Sequence, residues 1–122
     1  MGNDLVTSYK VAVRNSSIHG RGVFAKENIE RDTIIEESYL VDSGLEIESV
    51  RKCNVMNNYF WSTLDGGRYL LTIGLACAFN ESKNPNTKIE YIVEENIYRF
   101  TTTRYIEKDE ELFINYADRI IR

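Results

Sequence analysis

Hydrophobic and polar positions alternate over much of the chain, a period of two that is typical of half-buried β-strands. The alternating residues are Tyr9, Val11 and Val13 near the start and Ile89, Tyr91 and Val93 later on. Apolar and β-branched runs predict further strands over residues 22–25, 33–41, 97–106 and 112–116. Because turn residues separate residues 89–93 from 97–106, we expect these two segments to pair as a hairpin. The pattern therefore predicts a mostly β domain of many short strands.

Three stretches interrupt this pattern. Residues 42–52 lose the alternation, and the spacing of their apolar side chains is compatible with one or two helical turns. Residues 69–79 are almost continuously apolar but too short to cross a bilayer, so we interpret them as buried backbone. Residues 80–86 are rich in turn-forming residues and predict a loop.

Composition limits the kinds of site that the chain can hold. A length of 122 residues, of which 43% are hydrophobic and 28% charged, predicts a single globular domain over residues 1–122. The one histidine, His19, excludes a histidine pair and a multi-histidine zinc site. Cys53 and Cys77 form no CxxC motif, so we expect two buried reduced thiols and no metal, although the sequence leaves a disulfide open.

The net charge points to basic partners. It is −4, and no basic cluster is present to neutralise phosphates, so we expect no direct binding of nucleic acid. Glu36, Glu37, Glu46 and Glu48 would suit a Lys/Arg-rich tail, or would simply form a solvated surface. No signal peptide and no apolar run of membrane-spanning length occurs, so we expect an intracellular protein in the nucleus or cytoplasm, with no membrane partner.

Three clusters of residues stand out from ordinary turns. The first is Gly20-Arg21-Gly22 followed by Val-Phe-Ala, in which the glycines permit close approach of the backbone to a ligand. The second covers residues 79–86, Phe-Asn-Glu-Ser-Lys-Asn-Pro-Asn, and the third covers residues 109–116, Asp-Glu-Glu-Leu-Phe-Ile-Asn-Tyr. Each cluster alone is typical of a turn or a strand end. The first lacks the third glycine of a dinucleotide-binding fingerprint.

Taken together and in this order, the clusters resemble the SET-domain family of protein lysine methyltransferases, over residues 9–118. The family motifs are Gly-x-Gly followed by Val-Phe-Ala, then Phe-Asn-His-Ser-x-x-Pro-Asn, then Gly-Glu-Glu-Leu and a strand ending in tyrosine. Glu81 stands here in place of the motif histidine, and Asp109 in place of the glycine. In length the chain is similar to the compact viral and bacterial members without flanking cysteine-rich segments. The resemblance implies a β-clip fold of short strands with a C-terminal pseudoknot.

The same resemblance implies the roles of individual residues. Tyr116 would lie beside the transferred methyl group, and Tyr59 would be the second active-site tyrosine or else an aromatic core residue beside Phe60 and Trp61. The residues implied in binding S-adenosylmethionine are His19, Gly20, Arg21, Gly22, Asn80 and Glu81.

The implied function is an S-adenosylmethionine-dependent lysine N-methyltransferase acting on a protein, with a basic histone tail as the expected substrate. A cationic sulfur about 4 Å from the lysine would disfavour the charged ammonium by about 4 kcal/mol at an effective dielectric constant of about 20. That corresponds to roughly 3 units of pKa, so the amine can lose its proton to water without a histidine base. The tyrosine hydroxyl would then serve to orient the amine.

Two alternatives are open at this point. One is a catalytically impaired SET-like module that binds lysine-rich peptides or a regulatory partner, and the other is a small β-clip binding domain without a cofactor. Six residues follow Tyr116 and none is aromatic, whereas the family usually closes the lysine channel with an aromatic residue from this tail. We therefore expect a second subunit or the substrate to close the channel, or no closure, and a homodimer is one expected form.

Overall fold

The computed structural model describes residues 4–42, 44, 52, 60–62 and 69–118, and this part of the chain consists mainly of short strands. The strands are β1 (Val11–Asn15), β2 (Arg21–Ala25), β3 (Ile34–Asp42), β4 (Phe60–Ser62), β5 (Tyr69–Ile73), β6 (Asn80–Glu81), β7 (Thr87–Ile92), β8 (Ile97–Thr102) and β9 (Glu111–Ile114). Two 3-10 helices cover Ala76–Ala78 and Tyr116–Asp118. The prediction of a mostly β domain is confirmed.

The strands form two sheets. One has the order β4-β5-β3-β8-β7 and the other the order β1-β2-β9-β6. All pairs are antiparallel except β6 with β9. The predicted hairpin is confirmed as β7 and β8, although β8 ends at Thr102 and Ile106 instead forms an isolated bridge with Ile29.

The core lies where inward-facing side chains of both sheets meet, and aromatic rings fill much of it. Phe79 and Phe100 stack with their ring centroids 4.6 Å apart and their planes at 6°. Trp61 and Tyr98 meet edge to face at 4.5 Å. Leu112 and Ile114 of β9 are fully buried, because alternate residues of a strand face the same side. Burial of such side chains is the main stabilising contribution to the fold.

The insertion of β9 brings the three motif clusters together. β9 lies between β2 and β6, with Val23 opposite Leu112 and Asn80 opposite Phe113. A strand from the end of the chain is therefore flanked by one from its beginning and one from its central motif. This arrangement agrees with the SET-like β-clip architecture implied by the motifs.

Several local expectations are corrected by the structure. The apolar run 69–79, expected to be buried backbone, is buried only in part: Gly74 is exposed where β5 ends and a turn leads into a 3-10 helix. The predicted loop begins with strand β6, which the parallel partner β9 stabilises. Tyr116 lies beyond β9 in the second 3-10 helix, since the strand ends at Ile114. The irregular stretch 42–52 falls almost entirely outside the described residues.

The expected acidic surface is also corrected in part. Glu36 and Glu37 are only 2% and 8% exposed, so neither forms a solvated face for a basic tail. Glu37 pairs with Arg99, with 2.7 Å between Oε2 and Nε. Both were predicted to be surface residues because tertiary partners are invisible in a local pattern. Glu46 and Glu48 lie outside the described residues.

Candidate functional site

A cavity of about 530 Å³ opens where the glycine-containing loop (residues 16–21, between β1 and the start of β2), the end of β5 and the start of β6 converge. Its volume is typical of small-molecule sites in proteins. The lining residues are Val13, His19, Gly20, Arg21, Thr72, Gly74, Cys77, Ala78, Asn80 and Tyr116. Residues from three distant parts of the sequence thus share one site.

The structure brings most of the predicted site residues to this cavity. The lining includes four of the six residues implied in cofactor binding, and also Tyr116. Gly22 and Glu81 do not line the cavity but adjoin residues that do: a Cβ added to Gly22 would lie 3.0 Å from Asn80 Nδ2, and the Glu81 carboxylate accepts a hydrogen bond from the Tyr116 N–H. Tyr59 lies outside the described residues, so its predicted role stays a prediction.

Asn80 links the glycine-containing loop to the strands beneath it. Its side chain is 5% exposed, and Nδ2 donates to the carbonyl oxygens of His19 and Arg21, each at 3.0 Å. The same nitrogen lies 2.8 Å from Oε2 of Glu111. Three acceptors around Nδ2 define the orientation of the amide, so the position of the loop depends directly on this one side chain.

Glu111 is a further site residue that sequence reasoning did not select. Its Oε1 accepts a hydrogen bond of 2.7 Å from the Ser16 hydroxyl, whose oxygen in turn accepts from the backbone N–H of Ile18 at 3.0 Å. Glu111 therefore supports the loop at Ser16 and also through Asn80. The signal available in the sequence was its place in the Asp-Glu-Glu-Leu motif, although nothing there indicated its partners.

Glycine is required at the two positions of the first motif for different physical reasons. Gly20 has φ of +49°, and an added Cβ would meet no atom within 4 Å, so its backbone is accessible from the cavity. At Gly22 an added Cβ would overlap the carboxylate of Glu111. Gly20 is thus needed for its backbone conformation, and Gly22 for close packing.

Tyr116 is held at both ends. Its hydroxyl donates to the carbonyl oxygen of Phe79 at 3.0 Å, and its backbone N–H donates to Oε2 of Glu81 at 3.1 Å. The side chain is half-buried against the core. Since β6 carries Glu81 and directly follows Phe79, one short strand determines the position of this tyrosine.

Another part of the cavity lining comes from the apolar run 69–79, which the sequence predicts only as buried backbone. Gly74 and Ala78 line the cavity there, and the Cys77 sulfur lies 3.0 Å from Oγ1 of Thr72. Cys77 is half-buried, and Cys53 lies outside the described residues. These residues could not be selected from sequence, because small and apolar side chains there look the same as core.

The residues present fit S-adenosylmethionine. The accessible backbone at Gly20 and the polar groups around Asn80 suit the polar ends of such a ligand, while Val13 and Ala78 supply apolar surface. Among the described residues that line the cavity there is no carboxylate. Within the described chain, no helix is both long and apolar enough to cross a membrane.

Comparisons with known proteins agree with this geometry. Residues 20–117 match the family model of the SET domain. The chain is 36% identical over 111 residues to the Schizosaccharomyces pombe histone-lysine N-methyltransferase specific for H3 lysine 37, a match that covers 88% of this chain and 74% of that protein.

Solved structures show the same fold. A Plasmodium falciparum chain assigned as a histone methyltransferase is 25% identical with a TM-score of 0.67, covering 89% of this chain and 94% of the other. A humanized mutant of the Chaetomium thermophilum Polycomb Repressive Complex 2, bound to an inhibitor, is 26% identical with a TM-score of 0.65. The Chaetomium thermophilum complex in an autoinhibited conformation, bound to S-adenosylmethionine, is 27% identical with a TM-score of 0.66. The matches cover 94% and 90% of this chain but 15% of either longer chain.

Proposed function

Because the chain belongs to the SET-domain family, we propose that it is an S-adenosylmethionine-dependent histone-lysine N-methyltransferase. The family match and the curated relative confirm the predicted enzyme class, a protein-lysine methyltransferase. The cofactor, the histone substrate and the roles of individual residues are the proposal.

The observation that carries the proposal is the convergence of Gly20, Asn80 and Tyr116 on one cavity. These residues come from the three motifs that the chain shares with the family. Gly20 and Asn80 are 60 positions apart in the sequence, and Asn80 and Tyr116 are 36 apart. Such a convergence is what a site for two substrates requires, with the cofactor on one side and the lysine on the other.

Each residue has a distinct part in this proposal. His19, Gly20 and Arg21 would hold the cofactor through their backbone, and Asn80 keeps that backbone in place from beneath. When bound, S-adenosylmethionine supplies the methyl group as an electrophile. Tyr116 would orient the neutral lysine amine with its hydroxyl, and Tyr59 is the proposed second tyrosine.

The remaining described residues of the proposed site act on residues that line the cavity. Gly22 allows Glu111 to approach the loop, and the Glu81 side chain supports the backbone of Tyr116. Glu81 lies next to Asn80, so its own backbone would also be near the cofactor. The proposal therefore gives the carboxylate that replaces the motif histidine a structural task.

The substrate class follows from the curated relative and from charge. The Schizosaccharomyces pombe relative is named for a lysine of histone H3. A net charge of −4 favours association with a Lys/Arg-rich tail. A chromatin substrate would place the protein in the nucleus. A homodimer that closes the lysine channel belongs to the same proposal, and light scattering during size-exclusion chromatography tests it.

The decisive experiment incubates the chain with core histones and methyl-labelled S-adenosylmethionine, and locates the label by mass spectrometry. We expect label on lysine side chains, and thermal stabilisation by the cofactor. A ligand at 100 times its dissociation constant adds about 2.7 kcal/mol to the free energy of unfolding. Asn80→Ala should weaken cofactor binding. Asn84→Ala is its matched control, because Asn84 is exposed in the loop beyond β6.

Two results would contradict the proposal. Neither transfer nor stabilisation at millimolar cofactor would indicate a binding domain without a cofactor. Stabilisation without transfer to any histone would indicate the impaired module that binds lysine-rich peptides, an alternative that the comparisons do not favour.

A further inference from the structure

Gly74, which lines the cavity, belongs to a turn, residues 74–76, that joins β5 to the first 3-10 helix. Gly74 in this turn has φ of +131°, a conformation that residues with a side chain rarely adopt. An added Cβ on Gly74 would overlap the Glu36 carboxylate and the Ser38 hydroxyl. The turn is therefore formed in direct contact with two polar side chains of β3.

Those two side chains also bind the amides of the turn. Oε2 of Glu36 accepts hydrogen bonds from the Leu75 N–H at 2.7 Å and from the Ser38 hydroxyl at 2.9 Å. The Ser38 oxygen accepts from the Ala76 N–H at 3.2 Å. The amides at a helix start need outside partners, and Leu75, at the N-cap position, makes no side-chain capping bond. Glu36 and Ser38 supply those partners from another strand.

The burial of Glu36 calls for a reason, because a carboxyl group without a counter-charge is costly to bury. Its side chain is 2% exposed, and Oε1 has no hydrogen-bond partner among the described residues. Burial raises the pKa of this carboxyl group. The neighbouring Glu37 is buried too, but it accepts from Arg99 Nε at 2.7 Å and from the Val6 N–H at 2.9 Å. Glu37 thus has an ordinary structural ion pair, whereas Glu36 serves the turn.

We propose that Glu36 and Ser38 are positioning residues for methyl transfer, acting through the turn 74–76. Gly74 belongs to the turn and lines the cavity together with Cys77 and Ala78, so a displaced turn would change the shape of the cavity. This inference rests on the proposed function. A misplacement of about 1 Å at a reacting centre reduces a rate by about 100-fold, which makes a rigid turn valuable there.

The test compares four variants with the wild type. Ser38→Ala and Glu36→Ala remove acceptors from the turn, while Glu36→Gln keeps a carbonyl oxygen that can accept from Leu75 and Ser38. Glu37→Gln is the matched control, since it weakens a buried ion pair without touching the turn. For each chain we would measure amide exchange at Leu75 and Ala76 by NMR without cofactor, the free energy of unfolding, and kcat and KM for methyl transfer.

We expect Ser38→Ala and Glu36→Ala to raise exchange at these two amides about tenfold relative to other core amides, and to lower kcat about tenfold or more. Glu36→Gln should recover most of both losses. Glu37→Gln should destabilise the fold with kcat and relative exchange close to wild type.

Unchanged exchange in both alanine variants would overturn the inference, as would raised exchange with kcat within about twofold of wild type. A wild-type chain that transfers no methyl group would instead refute the proposed function. The exchange rates of the cofactor-free chains would still decide whether Glu36 and Ser38 hold the turn.

Discussion

The backbone N–H of Tyr116 donates a hydrogen bond to the carboxylate of Glu81, with 3.1 Å between nitrogen and Oε2. The parallel pairing of β6 with β9 places Glu81 opposite Ile114, two residues before the tyrosine. The departure from the family motif therefore lies in contact with the proposed catalytic residue. A carboxylate accepts from a backbone amide more strongly than a neutral group does, although exposure to solvent weakens the bond.

Glu81→Ala should lower kcat by roughly three- to tenfold, because the bond that it removes is solvent-exposed and positions Tyr116 without touching substrate. The kcat of Glu81→Gln, which keeps an acceptor oxygen, should lie between those of Glu81→Ala and the wild type. Steady-state methyl transfer measures both. Glu90→Ala removes another exposed carboxylate, on β7 beside Lys88, and serves as the control. Equal rates for Glu81→Ala and Glu90→Ala would show that the contact with Tyr116 has no part in transfer.

Tyr116→Phe should reduce kcat by about 100-fold or more while the dissociation constant of S-adenosylmethionine stays within about threefold of wild type. The hydroxyl now bound to the Phe79 carbonyl would be lost, at a cost in stability of about 1 kcal/mol. Calorimetry and single-turnover transfer separate the two effects. Tyr91→Phe is the matched control. The Tyr91 hydroxyl donates to Asn96 Oδ1 at 2.8 Å, and this tyrosine does not line the cavity. Normal turnover by Tyr116→Phe would remove this tyrosine from the reaction.

Gly22→Ala should weaken cofactor binding more than Gly20→Ala does, although Gly20 is the one that lines the cavity. A Cβ at Gly22 displaces Glu111, which breaks its bonds to Ser16 and Asn80 and costs about 1–3 kcal/mol. At Gly20 the space is open, so only the left-handed conformation is penalised, by roughly 1–2 kcal/mol. Urea unfolding and calorimetry provide the comparison. The opposite order of cofactor affinities would refute the role assigned to Glu111.

The stability of the wild type should depend on the ionisation of Glu36. Burial raises the pKa of this carboxyl group above 4.5, against the lowering effect of its bonds from Leu75 and Ser38, and the charge of Glu37 adds to the rise. The folded state then binds more protons than the unfolded state. The contribution of Glu36 to the free energy of unfolding is therefore fully present below pH 4.5, and it is lost as the pH rises through the pKa of Glu36 in the folded state.

Glu36→Gln cannot ionise, so its stability relative to wild type should increase as the pH is raised from about 4 to about 8. Urea unfolding across this range measures the difference between the two chains. A difference that does not change with pH would show that the pKa of Glu36 is the same in the folded and unfolded states.

Local patterns along the chain determined much of this protein. Alternation predicted the β7–β8 hairpin, because a period of two forces one face of a strand inward whatever its neighbours are. The three motifs led to the family, and through it to Gly20, Asn80 and Tyr116. Motif residues can be read in this way because each needs a specific backbone or side-chain chemistry at its own position.

Tertiary structure alone decided which of these groups meet. A sequence cannot show that Glu36 is buried against the turn at Leu75, 39 positions away, while the adjacent Glu37 pairs with Arg99. Nor can it show that Glu111 supports the loop at Ser16, or that Glu81 reaches the backbone of Tyr116. Propensity and periodicity act over a few residues, whereas these contacts depend on β9 lying between β2 and β6. Local motifs thus determined which residue types the candidate site contains, and the insertion of β9 between β2 and β6 determined how these residues are arranged.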